Sequence, residues 1–397
     1  MSHPQRVFIT GYGSVNCLEG HAALAVHMSE LAASASPAAP AGNRPIAAID
    51  HGQYVDPRIT RRMDRFTQMA YLAVRKALAG ADVELARLHA ERTGIIMNTC
   101  YGPLDSTRRY ISKLICDGPK KVPAAVFPNT VHNAFTGLIT MELAAHGSNS
   151  TVSGQNPICY GLDLLRQGRD DLLIVGGCDE LLGTLESGFA AAGLDHQGDP
   201  AEPGAGLYDR DRNVFTLGEG AAVLVLENEA SMRARGARPL AEVLDYGMAN
   251  GMDKVAGKAF PGDAATLERV MAQALQRSGV TPAEVDLVSG AANGLARLTH
   301  AEMDALSAVF GKSRAPLVSN AKAALGETLG AASVFSTILA LECLASGSVA
   351  PMPGVAPGSL PQRYVAGAAR SAPLAVALVN GIELGGTITS LALRQPA

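Results

Sequence analysis

Short, wholly apolar, β-branched segments alternate along this chain with longer stretches of helical spacing, and that alternation restricts the fold more than any other feature. Strand character is predicted over residues 7–15, 93–98, 172–175, 213–216, 221–226, 285–289, 317–319, 373–380 and 387–393, and helix over 65–80, 104–116, 131–145, 157–167, 264–278, 301–310 and 330–345. A strand that is apolar on both faces has to be covered on both faces, which points to parallel sheets packed between helices, an α/β architecture. The same grammar recurs in the two parts of the chain, so residues 1–250 and 251–397 read as duplicated halves. The first strand is interrupted by Gly11 and Gly13 and is expected to lead into a glycine turn. Asn16 stands where a dinucleotide-binding fingerprint needs its third glycine, so that site is not expected. Residues 32–48, rich in Ala and Pro, read as a surface loop.

At 397 residues the chain has room for two or three domains. Charged residues make up 18%, below the usual ~25%, which favours surface buried against another subunit. A formal net charge of −4 lacks the basic balance of a nucleic-acid binder. No apolar signal core opens the chain and no uninterrupted apolar run approaches ~18 residues, so a cytoplasmic protein without membrane contact is expected. The six cysteines, 17, 100, 116, 159, 178 and 343, are scattered with no CxxC pair, which implies reduced thiols and no metal centre.

Four stretches in order and at family-like spacing resemble the β-ketoacyl synthase family: ITGYGSV near the start, YDRDRNVFTLGEGAAVLVLE at 208–227, LVSNAKAALGETLGAAS at 317–333 and VNGIELGGTITSLAL at 379–393. The resemblance implies a thiolase-like fold, duplicated βαβαβαββ halves forming a five-layered αβαβα sandwich. It also implies condensation of thioesters held on acyl carrier protein, with one Cys as acyl acceptor and two His to stabilise developing negative charge, and no cofactor.

The catalytic positions depart from that pattern. Gln155 falls at the Cys position when counted from upstream, and Thr151 lies nearer it when counted back from Gly168. Ala291 occupies the first His position and Glu327 the second, five residues after the family's Lys, here Lys322. Lys322 and Glu302 are retained and are expected to form a structural ion pair. The C-terminal glycine turn carries Leu384 at the position of a gating Phe, with Glu383 beside it. Among the family's subunits, those that carry Gln at the nucleophile and pair with an active ketosynthase, the chain-length factors of type II polyketide synthases, are the group this sequence resembles. The resemblance thus implies a heterodimer or heterotetramer with an active ketosynthase, elongating a polyketide, polyene or fatty-acid-like chain.

A subunit of that kind would supply the far wall of its partner's acyl tunnel, with Thr107, Tyr110, Ile111, Leu114, Phe135 and Leu384 as candidate wall residues. Basic residues at Arg61, Arg62, Arg65, Arg108, Arg109, Lys120 and Lys121 could steer an acidic carrier protein. An alternative is an active synthase with Cys159 or Ser153 as nucleophile. Cys159 would sit in a helix's first turn after Asn156 and Pro157, where a thiolate is favoured, and the base would be His132, His146 or His300.

Overall fold

The computed structural model describes residues 5–18, 23–34, 42–84, 89–194, 206–251, 263–311 and 315–396. In chain order the first elements are β1 (Val7–Asn16), α1 (Leu24–Ala33), α2 (Pro57–Thr60), α3 (Arg65–Gly80), β2 (Thr93–Asn98), α4 (Leu104–Asp117), α5 (Ala134–Leu143) and β3 (Asn149–Val152). Then come α6 (Pro157–Arg166), β4 (Leu172–Asp179), α7 (Gly183–Ala191), β5 (Gly220–Asn228), α8 (Glu229–Ala234), β6 (Ala241–Asn250), α9 (Ala264–Ser278), β7 (Leu287–Ser289) and α10 (Ala296–Phe310). The chain closes with β8 (Leu317–Ser319), α11 (Lys322–Leu325), α12 (Ala332–Ser346), β9 (Ser348–Val349), β10 (Arg370–Ser371), β11 (Val376–Ile382) and β12 (Thr387–Arg394).

Ten strands form one sheet in the order β3-β2-β4-β5-β1-β6-β12-β11-β7-β8. Read inward from either edge, the two halves follow the same pattern, β3-β2-β4-β5-β1 and β8-β7-β11-β12-β6. They join where β1 and β6 run antiparallel over Val7↔Val243, Phe8↔Glu242 and Ile9↔Ala241. Pairing is parallel at the outer strands of each half and antiparallel through the centre. The expectation of parallel sheets thus holds only at the edges, because consecutive strands such as β11 and β12 are joined by a tight turn that forces antiparallel pairing.

Burial explains the layers. Along β5, Ala221, Val223 and Val225 face an outer core shared with Phe66, Tyr71 and Phe135 of α3 and α5. The alternate residues Ala222, Leu224 and Leu226 face a middle core with Leu162 of α6 and Phe335 and Ile338 of α12. On the other half-sheet, Leu391 and Val379 face that same middle core. Leu378 and Ile388 turn to a third core with Val270 of α9 and Leu306 of α10. Helix, sheet, helix, sheet, helix is the resulting stack. The central α12 is buried at every residue from Ala332 to Leu344, as a helix apolar all round must be. The stretch Leu329–Ser346 has a mean hydropathy of 1.6, and 89% of it is buried inside the protein.

Several expectations are revised. β1 does not end in a glycine turn but runs through it. A Cβ on Gly13 would meet the Ala73 carbonyl oxygen and Ala77 nitrogen at 2.4 Å, so the glycine serves to seat α3 directly on the strand. Residues 213–216 are not a strand. Val214 N–H donates to Gly294 and the Thr216 carbonyl accepts from Glu327 N–H, so this backbone clamps two loops instead of joining the sheet. α1 occupies part of the stretch read as loop, whose residues 35–41 lie outside those described. β6, with alternating burial, had no counterpart in the sequence reading.

Phe135 belongs to the outer core: it is 1% exposed and packs edge-on against Phe66 at 4.8 Å between ring centroids. It is thereby removed from any tunnel wall formed with a partner. Phe135→Ala is expected to lower stability by about 3–5 kcal/mol in chemical denaturation, the usual cost of a buried aromatic cavity.

Candidate functional site

The C-terminal ends of β2 and β4, the turn before α6 and the turn before α12 converge on one buried spot. Glycines make this possible. A Cβ on Gly177 would lie 1.9 Å from the Gly330 carbonyl oxygen, so the segment entering α12 rests on the backbone of β4. Asp179, 1% exposed, ties the pieces together by accepting from Thr99 Oγ1 (2.9 Å) and from the N–H groups of Cys100 (2.8 Å), Tyr101 (2.9 Å) and Gly330 (2.8 Å). Burial nevertheless pushes its carboxyl up to about 6. Asn98 donates to the Gly330 carbonyl at 3.0 Å and accepts from Gln155 N–H at 3.4 Å.

Glu327 and Lys322 form the core of the site. Lys322 Nζ donates to Glu327 Oε2 at 2.9 Å and to the Ala291 carbonyl at 3.0 Å. Glu327 also accepts from Asn293 Nδ2 (3.1 Å) and from Leu329 N–H (3.0 Å). Leu329 is held at φ 53°, a left-handed conformation that is strained for a leucine. The expected Lys322–Glu302 pair is therefore replaced by Lys322–Glu327. Glu302, on α10, is used up elsewhere: it accepts from the N–H groups of Ala291 (2.7 Å) and Ala292 (2.8 Å), from Tyr208 OH (2.9 Å) and from Asn380 Nδ2 (3.3 Å). Ala291 sits in the site, fully buried, with only a methyl group to present.

Glu383 faces the same spot from the turn between β11 and β12. It is 4% exposed, and burial, reinforced by Glu327 and opposed by Lys322, pushes its carboxyl up to about 8. Burial thus disfavours the charge expected on this turn.

The nucleophile candidates separate clearly. Gln155 and Ser153 are exposed at the turn before α6. Thr151 lies on β3, with its hydroxyl 2.6 Å from that of Thr136. Cys159 is fully buried inside α6, and burial raises its thiol well above the ordinary value, the opposite of activation. The histidines do not serve it: His300 is engaged by Arg210, His146 is exposed near Ala90, and the exposed His132 ring lies against Gly102. The thiol that does belong to the site is Cys100, which the sequence reading passed over. It feels Asp179, Glu383 and Glu327 and has the Gly154 N–H against it, and burial holds it protonated. Its signal was its position directly after the buried strand β2.

The candidate wall residues also divide. Leu384 lines a cavity of about 560 Å³ together with Tyr101, Leu104, Leu185, Phe189 and Leu194. Thr107, Tyr110, Ile111 and Leu114 lie on α4, a 14-residue helix with no buried residue. Thr107 donates to the Thr130 carbonyl and Tyr110 packs on Phe127 at 5.5 Å, while Ile111 (47%) and Leu114 (38%) face outward. Of the basic residues, Arg65 is held by Glu219 and the Ile46 carbonyl, and Arg108 and Arg109 pair with Asp105. Arg61, Arg62, Lys120 and Lys121 are exposed.

A five-layered sandwich with mirrored half-sheets, and a site where the strand ends meet the entries to the two middle helices, defines the thiolase-like ketosynthase fold. The β-ketoacyl synthase N-terminal domain model matches residues 42–231, and the C-terminal domain model matches residues 240–356. This chain belongs to the β-ketoacyl synthase family. It is 28% identical over 307 residues to 3-oxoacyl-[acyl-carrier-protein] synthase 2 of Staphylococcus aureus (strain COL), covering 75% of this chain and 73% of the relative. The corresponding synthase of Synechocystis is 27% identical over 357 residues, covering 87% and 85%. Among solved structures, the ishigamide ketosynthase/chain length factor superposes with a TM-score of 0.85 over the whole of both chains at 24% identity. A type II polyketide synthase acyl-carrier protein in complex with its ketosynthase bound to the hexaketide gives 0.82, also over the whole of both chains, at 18% identity.

Two measurements probe the buried charges. Lys322→Met strands the Glu327 carboxylate and is expected to cost about 3–5 kcal/mol, whereas Lys322→Met with Glu327→Leu removes both charges and should recover most of that loss in denaturant titrations. Glu383 titrates near an ordinary 4.5 when unfolded and about 8 when folded. Between these values the folded chain holds a proton that the unfolded chain has released, so this group lowers stability as pH rises from about 4.5 to 8. Glu383→Gln should therefore raise the melting temperature more at pH 8.5 than at pH 5.

Proposed function

We propose that this chain is a catalytically silent, chain-length-factor-like subunit that pairs with an active β-ketoacyl synthase and shapes its acyl tunnel. The observation that carries the reading is the Lys322–Glu327 ion pair, buried where an oxyanion-stabilising imidazole would be needed, beside the methyl group of Ala291. Decarboxylation of a malonyl group places negative charge on the thioester oxygen and enolate, and stabilisation requires donors aimed at that oxygen. Here a carboxylate has taken the position, Lys322 is already neutralised by it, and Gln155 offers no thiol.

The surface supports a partner subunit. β3 is an edge strand, and the neighbouring α4 and the 3-10 turn Ala124–Thr130 leave Ile111, Leu114, Ile115 (76%) and Phe127 (56%) uncovered. α5 adds Met141, 70% exposed. An amphipathic helix that buries no residue yet exposes Ile111, Leu114 and Ile115, and an unpaired strand edge, are the features a subunit interface covers. On this reading Tyr110, Ile111 and Leu114 reach the partner's tunnel. Acyl carrier protein delivers the growing chain past Arg61, Arg62, Lys120 and Lys121, and the complex works in the cytoplasm without a cofactor.

Intact-mass analysis of the co-purified pair after incubation with an acyl-carrier-protein thioester tests the assignment. The acyl mass increment is expected on the partner only. A stable increment on this chain, or a homodimer that condenses by itself, would overturn it.

A further inference from the structure

The stretch that follows β2 leaves the body of the molecule and returns to the place it left. Every residue from Leu104 to Ala134 is at least partly exposed, and α4 packs against the two turns that follow it, Pro119–Lys121 and Ala124–Thr130. Inside this arm Thr107 Oγ1 donates to the Thr130 carbonyl at 3.2 Å and Tyr110 rests on Phe127. Its two ends meet at one neck, where a Cβ on Gly102 would lie 3.0 Å from the His132 ring. Gly102 is held at φ 66° and Gly118 at φ 81°, conformations that glycine adopts freely, so one joint stands at the foot of α4 and another at its far end. A segment that buries no side chain of its own gains little from lying on the body, which places it at the low end of local stability.

Among the described residues, the hydrogen bonds from this arm to the body lie in the first turn of α4. Asp105 N–H donates to Glu180 Oε1 at 2.7 Å, and Ser106 Oγ donates to Asp64 Oδ2 at 2.7 Å. Leu104 adds an apolar contact to the third core. Both acceptors belong to the rigid body: Glu180 directly follows β4 and is 4% exposed, and Asp64 caps α3 by accepting from Thr67 N–H.

The charged and titratable groups facing Glu180 are Asp64 and Arg65 from α3, Asp105 from α4, Glu219 from the entry to β5 and Cys178 from β4. Arg65 is engaged by Glu219, and Asp105 by Arg108 and Arg109. Burial pushes the Glu180 carboxyl up to about 7, opposed by the Asp105 N–H and reinforced by Asp64, Asp105 and Glu219.

We propose that residues 104–130 form a hinged arm that opens and closes on the body as one unit, with Asp64 and Glu180 as its latch. A shut arm keeps the proton on Glu180 up to about pH 7, and an opened arm returns the carboxyl to water and toward its ordinary 4.5. Opening therefore releases a proton and becomes easier as pH rises from about 4.5 to 7. The arm carries Ile111, Leu114, Ile115 and Phe127, so the latch also governs how that apolar surface is presented. The inference concerns the chain by itself and does not rest on the pairing with an active synthase.

Native-state hydrogen exchange of the full-length chain measures opening segment by segment, read by mass spectrometry on peptides covering 108–117, 124–130 and 66–78 and corrected for intrinsic rates. The two arm peptides are expected to share one opening constant, at least about a hundredfold above that of α3. In Ser106→Ala both should rise together by about tenfold, the scale of one hydrogen bond to a charged group, while α3 stays unchanged. Between pH 5.5 and 8 the arm's opening constant should rise about tenfold. Glu180→Gln keeps an acceptor for the Asp105 N–H but cannot ionise, so there the rise should vanish. Arm peptides that exchange no faster than α3, a Ser106→Ala effect confined to residues 104–107, or a pH dependence that survives in Glu180→Gln would overturn the proposal. Each of these results leaves the acylation test of the subunit assignment standing, since that test reads a covalent mass increment on one chain of the pair.

Discussion

Both faces of the ten-stranded sheet are buried, and the rest of the molecule follows from that constraint. A doubly covered sheet made of two mirrored halves has to share its middle layer, and the shared layer is α6 and α12. Both helices begin at the same end of the sheet, where β2 and β4 finish. Their N-termini bring unpaired N–H groups and the positive ends of two helix dipoles to one place. Asp179 and Glu327 answer that field: their carboxylates accept from Gly330 and Leu329 at the entry to α12. The site is thus a by-product of how the layers stack, and it persists whether or not the chemistry does.

Within that frame the site sets Lys322 among the carboxyl groups of Asp179, Glu327 and Glu383. A condensing site needs a thiolate and donors that tolerate a developing oxyanion. This one presents a methyl at Ala291 and a carboxylate at Glu327, with Glu383 added from the opposite turn, while the Gln155 side chain is exposed on the turn before α6. The single cation, Lys322, would be prohibitively costly to bury alone, and Glu327 neutralises it five residues away. Glu383 then has no cation left to share, and keeping its proton is the cheapest way to bury it. The backbone geometry is set by the close glycine contacts at Gly177 and Gly330 and by the left-handed Leu329.

The layers were legible because strand and helix periodicities are local and apolar runs announce double burial. β6 was not, because Asp245 stands on its buried face, held there by Arg166, and Leu244 and Tyr246 stand on the other, so no apolar alternation announces a strand. α1 was masked by the Ala- and Pro-rich stretch that follows it. Phe135 illustrates a different failure: a phenylalanine near the expected tunnel has the same sequence signature as one facing Phe66, and only packing separates them. Cys100 shows the reverse, since a thiol outside any motif became a site residue through the way β2 ends beside Gly154.

The sequence by itself determined which side chains stand in the motif stretches, because identity at a position is a local fact: Ala291 and Glu327 are legible without coordinates, whereas the turn before α6 leaves both Gln155 and Thr151 open. Only the tertiary structure decided how the remaining charges are distributed. Lys322 could have reached Glu302 or Glu327, and Glu302 is taken by two backbone N–H groups that no spacing reveals. Whether Glu383 is a charge or a neutral donor depends on desolvation and on Glu327 beside it. Pairing and protonation are set by distance and burial, and those come into existence only when residues far apart in the chain are packed together.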